Sequence, residues 1–205
     1  MSESIFDISI PSLDGTPDML SQVKDNVCLF VNISSKAGYS PTCSKVWSYA
    51  RTAKWLWELQ QVHDEFFDKG FRVVGFPCDQ LGGMEPLEND QILEFIKENY
   101  PFVTFPISEK IDVNGENEHP VYTFIKGPER RNFNDNMADT SDSAKKGQNL
   151  AMQAMMRIPH NYEKFLISRE GIRIARFNWQ DSPLATEPLV FGAGWTIREA
   201  IANVL

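Results

Sequence analysis

The stretch from Ser44 to Lys69 contains neither glycine nor proline, and short apolar runs lie before and after it. Within it, apolar residues recur every three or four positions: Tyr49, Ala53, Leu56, Leu59, Val62 and Phe66. This period predicts one long amphipathic helix that Gly70 ends.

The flanking runs have the composition of strands. Residues 27–33 begin with five apolar residues in a row, which is typical of a strand buried on both faces. Residues 71–76 are rich in β-branched and aromatic side chains, and Pro77 follows them. A strand, a helix and a strand in this order predict a right-handed βαβ unit with parallel strands.

The rest of the chain predicts shorter elements. We expect a half-buried edge strand over 5–10, a helix from Asn89 to about Tyr100, and a short helix over 150–156. Residues 165–167 and 172–177 flank a turn at Glu170–Gly171 and predict a hairpin, and 196–205 predict a closing helix. Together these elements indicate an α/β sandwich of the thioredoxin type, with a central mixed sheet and helices on both faces.

Composition narrows the classes of function. A chain of 205 residues fits one domain over 1–205, with a polar insertion at about 127–157. The net charge of −8 argues against nucleic acid and anionic membranes as partners. Because the chain begins without the basic start and apolar run of a signal peptide and has no bilayer-length apolar stretch, we expect a cytoplasmic protein.

The three cysteines are Cys28, Cys43 and Cys78. Their odd number and spacing argue against a disulfide framework and a metal site, and we expect no cofactor. Cys28 lies inside a predicted buried strand and is interpreted as structural, whereas Cys78 follows Pro77 near the expected site. Cys43 lies where the first strand passes into the long helix, and backbone N–H groups at a helix start stabilise a thiolate.

Sites in open α/β sheets lie at the carboxyl ends of the strands. Residues 34–43, 77–82 and 159–161 are therefore expected to converge.

Several motifs resemble the glutathione peroxidase family. They lie in the same order as in that family: Val31–Ser35, the run Gly75–Gly82 with Glu85–Pro86 after it, Lys110–Gly115, His119–Tyr122 and Asn161–Leu166. The resemblance implies a peroxidase whose tetrad is a cysteine or selenocysteine, a glutamine, a tryptophan and an asparagine. Matching the motifs gives Gln80 as the glutamine and Asn161 as the asparagine, while His160 stands at the tryptophan position and Ala37 at the nucleophile position.

A second resemblance concerns the nucleophile. Residues 38–44, GYSPTCS, are similar to the peroxiredoxin loop, whose cysteine attacks the peroxide. This resemblance implies that Cys43 is the attacking thiol, which an external thiol or Cys78 would then resolve. The counterpart of Cys78 in the glutathione peroxidase family is not generally the nucleophile, so the resemblance implies a structural role for Cys78. Gln80 and Asn161 would then hydrogen-bond the thiolate and the peroxide, and His160 could donate a proton to the leaving oxygen.

Three hypotheses follow for the function. The first is a thiol-dependent peroxidase in oxidative-stress defence that reduces hydrogen peroxide or organic hydroperoxides, with an external thiol such as glutathione or a thioredoxin-like protein as reductant. The second is a non-catalytic binding or sensing module that lost its nucleophile at Ala37, with Cys43 packed in the helix. The third is an active peroxidase in which alanine was introduced at position 37 by design.

The remaining aromatic and imidazole side chains are less specific. His63 and His119 have no metal-ligand spacing and are expected at the surface or in turns, and His160 could equally be structural. Trp47, Trp55 and Trp57 fall on different faces of the long helix. An exposed one would favour a homo-oligomer interface, whereas core packing accounts for most aromatic residues.

Overall fold

The computed structural model describes residues 4–36, 45–127, 156–187 and 195–205, with only the backbone for 45–50. In it a short 3₁₀-helix, Ile5–Asp7, is followed by five α-helices and four β-strands. In chain order these are α1 (Met19–Gln22), β1 (Val27–Ile33), α2 (Lys45–Phe66), β2 (Phe71–Pro77), α3 (Asn89–Asn99), α4 (Pro120–Lys126), β3 (Lys164–Ile167), β4 (Arg173–Phe177) and α5 (Ile197–Val204).

The four strands form a mixed sheet in the order β2-β1-β3-β4. β1 pairs with β2 in parallel, from Val27 opposite Phe71 to Ile33 opposite Pro77. β3 pairs antiparallel with β1 and with β4. The predicted βαβ unit and the predicted hairpin are therefore confirmed, with β1 and β3 as the central strands.

The long helix ends as its sequence predicts. After Phe66 the chain tightens into a 3₁₀ turn, Phe67–Lys69, and Gly70 follows in the left-handed conformation with φ = 84°. A side chain is strained in that conformation, so glycine is the residue that ends the helix without penalty.

Apolar side chains pack on both faces of the sheet. One face is covered by α2, α3 and α5, whose buried residues include Leu59, Ile92 and Ile201. The other face is covered by the 3₁₀-helix, α1 and α4, and it contains Cys28. This layer order confirms the predicted thioredoxin-like sandwich.

Two expectations were wrong, and two others cannot be compared with the structure. Residues 5–10 are not an edge strand, because Ser4 and Asp7 form a capping box that closes a 3₁₀ turn over Ile5–Asp7. His63 is not at the surface: it is 3% exposed on the inner side of α2. The helix predicted over 150–156 and nearly all of the polar insertion predicted at about 127–157 lie outside the described residues.

Candidate active site

The carboxyl ends of β1 and β2 lie side by side, and the Cys78 N–H donates to the Ile33 carbonyl at 3.0 Å. Ser34 and Ser35 follow β1 and begin the segment that leads to positions 37 and 43. Ala37 and Cys43 themselves lie outside the described residues. The part of the site that the structure describes is therefore the set of side chains that hold this segment and surround it.

Three buried side chains hold the start of the segment. The hydroxyl of Tyr162 donates to the Ser34 carbonyl at 2.7 Å, and the hydroxyl of Tyr100 donates to the Ser35 carbonyl at 3.2 Å. The carboxylate of Glu85 accepts both the Ser35 N–H and, at 2.7 Å, the Ser35 hydroxyl. Ser34 and Ser35 are buried as a result, so the backbone that enters the segment is fixed before the chain reaches position 37.

Asn32 joins the segment 160–162 to the central strand. Its side-chain Nδ2 donates to the His160 carbonyl at 2.8 Å, and its own carbonyl accepts the Tyr162 N–H at 2.6 Å. Tyr162 adopts φ = 71°, a left-handed conformation that is costly for a bulky residue. The cost is offset by the buried contacts of the ring, which the unusual backbone turns into the core.

Asn161 lies between these two anchors and is 4% exposed. Its Oδ1 accepts from Asn32 Nδ2 at 3.4 Å, while its Nδ2 has no acceptor among the described residues. A buried amide donor without an acceptor is costly. It is also an available donor for an anionic or polar group that enters the site.

His160 is exposed, and its imidazole contacts the indole of Trp179 with ring centroids 4.8 Å apart. Trp179 in turn contacts the edge of Trp55 at 6.0 Å, and Trp55 lies on Tyr162 at 4.4 Å. The four rings form a chain that begins and ends in the segment 160–162.

Gln80 forms three hydrogen bonds with the backbone at Val113 and Asn114. Its Oε1 accepts the N–H groups of Val113 and Asn114, both at 2.9 Å, and its Nε2 donates to the Asn114 carbonyl at 2.9 Å. The Asn114 side chain makes two hydrogen bonds to the Ile158 backbone, at 2.9 and 3.0 Å. Gln80 therefore supports the site through Asn114 and Ile158, and its Nε2 retains a second N–H that none of these hydrogen bonds uses.

The two described cysteines are poor nucleophiles. Cys28 and Cys78 are both 0% exposed, as expected for structural residues. Burial raises the pKa of the Cys28 thiol far above its ordinary value, and burial raises the pKa of the Cys78 thiol to about 11. Neither thiol is ionised near neutral pH, and neither can be reached by a substrate.

The described residues contain no group of three or more histidine, cysteine, aspartate or glutamate side chains that could hold a metal ion. His119 accepts the Val121 N–H through Nδ1 and caps α4, which fits the turn role expected for it. In the described parts of the chain, no helix is long and apolar enough to cross a membrane.

Several residues of the site were not predicted. Three side chains make contacts that position the site but were not singled out as functional from the sequence: Asn32, Glu85 and Trp179. Asn32 offered a signal, because it is the polar residue in the otherwise apolar run of β1. Glu85 belongs to a motif that resembles the family, but its partner Ser35 is distant in the chain, and Trp179 lies outside the motifs.

Comparison with known proteins agrees with the motifs and the fold. A sequence model described as glutathione peroxidase matches residues 5–126, more than half of the chain. The chain belongs to the glutathione peroxidase family. The predicted family is thereby confirmed.

Relatives in this family match almost end to end. The chain is 34% identical over 181 residues to the glutathione peroxidase homolog BsaA of Staphylococcus epidermidis, which covers 88% of this chain and 92% of the relative. It is 36% identical over 169 residues to the glutathione peroxidase-like peroxiredoxin HYR1 of Saccharomyces cerevisiae, with coverage of 82% and 83%.

Solved structures support the thioredoxin-like fold. The crystal structure of Trgpx in apo form is 25% identical, has a TM-score of 0.58 and covers 99% of this chain and 96% of its own. The crystal structure of T. cruzi GPX1 is 23% identical, has a TM-score of 0.55 and covers 98% of this chain and 94% of its own.

Proposed function

We propose that this member of the glutathione peroxidase family is a thiol-dependent peroxidase that reduces hydrogen peroxide or organic hydroperoxides, with Cys43 as the attacking thiol. The observation that carries the proposal is the burial of both other cysteines. The chain has three cysteines, and Cys28 and Cys78 are inaccessible thiols with raised pKa values. A thiol peroxidase of this sequence must therefore use Cys43.

The reaction has two stages. The Cys43 thiolate attacks one peroxide oxygen, the O–O bond breaks, and the leaving oxygen takes up a proton to become water or an alcohol. Cys43 is then a sulfenic acid, oxidised by two electrons. Two external thiols restore it: the first forms a mixed disulfide and releases water, and the second displaces Cys43 as a thiol and leaves the reductant as a disulfide.

The described residues suit this chemistry. The Nδ2 of Asn161, which has no acceptor among the described residues, can donate a hydrogen bond to the thiolate or to the peroxide. His160 is exposed next to it and can donate the proton that the leaving oxygen needs. Gln80 is proposed to support them through Asn114, and Ala37 marks the family's nucleophile position, where no side chain can react.

The reductant in this proposal is an external thiol, because the other two cysteines, Cys28 and Cys78, are both 0% exposed. α3 contains no cysteine that could resolve the sulfenic acid within the chain. The names of the relatives, peroxidases and peroxiredoxins, favour the enzyme over a non-catalytic module. The reductant is predicted to be glutathione or a thioredoxin-like protein. The single domain, the cytoplasmic location and the homo-oligomer also stay predictions.

Stopped-flow kinetics of hydrogen peroxide with the reduced protein test the proposal. We expect the parent to react much faster than a free thiol, Cys43→Ser to abolish the reaction, and Cys78→Ala, which removes the other thiol near the site, to keep it. An inert parent in which Ala37→Cys alone creates turnover would overturn the assignment of Cys43 and leave a peroxidase disarmed at position 37.

A further inference from the structure

The indole of Trp179 is the side chain that the structure places against His160. The two ring centroids are 4.8 Å apart and the ring planes are inclined by 42°. The other contact of His160 that the described residues show is through its carbonyl, which accepts a hydrogen bond from Asn32. The direction of the imidazole therefore depends on Trp179 among the described residues.

Trp179 is itself held from two sides. Trp55 of α2 meets its ring edge to face, with an interplanar angle of 88°. The buried ammonium of Lys164 donates to the carbonyls of Tyr162, Asn178 and Trp179 at 2.8, 3.2 and 3.4 Å. One buried side chain thus fastens the backbone of Trp179 to the backbone of the segment that carries His160.

The same rings connect to the start of the nucleophile segment. Trp55 lies on Tyr162, and Tyr162 holds the Ser34 carbonyl. The imidazole of His160 therefore contacts the same group of packed rings that holds the backbone leading to Cys43. A proton donor contributes to catalysis only when it is held within reach of the atom that it serves.

We propose that Trp179 is a positioning residue of the peroxidase, which holds the His160 imidazole for proton delivery to the leaving oxygen. The role rests on the proposed function, since it requires that peroxide be reduced at this site. Trp179 lies beyond β4, outside every motif that placed the other site residues.

A double-mutant cycle tests this role. We expect Trp179→Leu to lower kcat/KM for hydrogen peroxide about tenfold, because a misplaced donor transfers its proton poorly. Trp179→Phe keeps a ring against the imidazole and should recover most of the loss. In a His160→Gln background, Trp179→Leu should have little further effect, because the group that it positions is gone.

A matched control and a spectroscopic readout separate positioning from a general effect on the fold. Trp57→Leu makes the same change at a tryptophan of α2 that is 46% exposed, and it should leave kcat/KM unchanged. In the proton NMR spectrum the ring current of Trp179 displaces the His160 ring signals, which the His160→Gln spectrum identifies. We expect Trp179→Leu to remove this displacement and Trp179→Phe to keep part of it.

The two proposals fail in different ways. An active parent in which Trp179→Leu has no effect, or lowers kcat/KM by the same factor with and without His160, overturns the positioning role and leaves the peroxidase intact. An active parent that His160→Gln does not impair overturns the role as well. A parent that does not reduce peroxide overturns both.

Discussion

The carboxylate of Glu85 accepts two hydrogen bonds from one residue, Ser35: the backbone N–H and, at 2.7 Å, the hydroxyl. Both residues are buried, and Ser35 lies only two positions before Ala37. Glu85 therefore fixes the backbone where it enters the segment of the proposed nucleophile.

We predict that Glu85→Gln weakens this anchor. A glutamine has one oxygen, so one of the two Ser35 donors is left buried without an acceptor, at a cost of about 1–3 kcal/mol in the free energy of unfolding. Urea denaturation measures the loss. Glu98→Gln, the same change at an exposed position of α3, serves as the control and should be neutral.

The cost of Glu85→Gln should depend on pH. Burial raises the pKa of the Glu85 carboxyl above its ordinary value of 4.5, so the folded protein retains this proton longer than the unfolded chain. The contribution of protonated Glu85 to the free energy of unfolding is full below pH 4.5 and is lost as the pH rises through the pKa of the folded state. The difference between parent and variant should shrink with rising pH, and a difference that grows instead would contradict the assignment.

A second prediction concerns His63 in α2. Its Nδ1 accepts the Val73 N–H of β2 at 3.0 Å, and burial lowers the pKa of the imidazole to about 4. The unfolded imidazole takes up a proton near 6.5, while the folded one stays neutral to about 4. The stability due to neutral His63 is therefore full above pH 6.5 and is lost as pH falls towards 4, by about 3 kcal/mol in all.

His63→Gln should flatten this pH dependence. The glutamine oxygen can still accept the Val73 N–H, but it does not titrate. Urea denaturation between pH 7.5 and 4.5 compares the slopes, with His160→Gln as the control at an exposed imidazole. If parent and His63→Gln lose stability equally as the pH falls, His63 is not the group responsible.

The strands and long helices could be predicted because their signals are local. The apolar run of β1, the absence of glycine and proline in α2, and the Glu170–Gly171 turn each lie within one element. The N-terminal segment could not be predicted by the same means, since the hydrogen bonds of the Ser4 and Asp7 capping box outweigh an imperfect alternation. His63 was misplaced because the period of α2 does not distinguish a buried polar residue from an exposed one.

The site was predicted only in part. The topology rule predicted that residues 159–161 lie at the carboxyl ends of the strands. In the structure, Asn32 near the end of β1 donates a hydrogen bond to the His160 carbonyl. The contact of His160 with Trp179 and that of Ser35 with Glu85 join residues far apart in the chain. No local period or motif encodes such a pair, so the side chains that orient the site emerge only from the packed structure.

A third prediction concerns Lys164, whose ammonium holds the backbone of Trp179. Lys164→Met leaves the carbonyls of Tyr162, Asn178 and Trp179 without their shared donor. We expect a loss of about 2–4 kcal/mol in the free energy of unfolding, because the lysine is 1% exposed and the nearby carboxylates of Asp181 and Glu163 lose their counter-charge. Hydrogen exchange by mass spectrometry should show faster exchange in peptides that cover 178–181.

The control for this change is Lys54→Met. Lys54 lies on the surface of α2, where it pairs with Glu58 at 3.7 Å with a side chain that is 67% exposed. Surface pairs of this kind contribute at most about 1 kcal/mol. Unaltered exchange at 178–181 in Lys164→Met would show that the loop is held by other contacts.

The last prediction concerns the turn between β3 and β4. Gly171 has φ = 83°, and a Cβ built there would lie 2.1 Å from the Ser4 hydroxyl oxygen and 3.0 Å from the Ile5 nitrogen. Gly171→Ala should therefore lower the free energy of unfolding by about 2–4 kcal/mol, through a left-handed backbone and a steric clash together.

Gly15→Ala isolates the effect of the left-handed backbone, since Gly15 has φ = 91° with nothing within 4 Å of its Cβ position, and it should cost about 1 kcal/mol. Thermal and urea unfolding of the two variants measure the difference. Equal losses would mean that the N-terminal segment moves away at no cost, and the packing of Ser4 and Ile5 against the turn would then contribute nothing to stability.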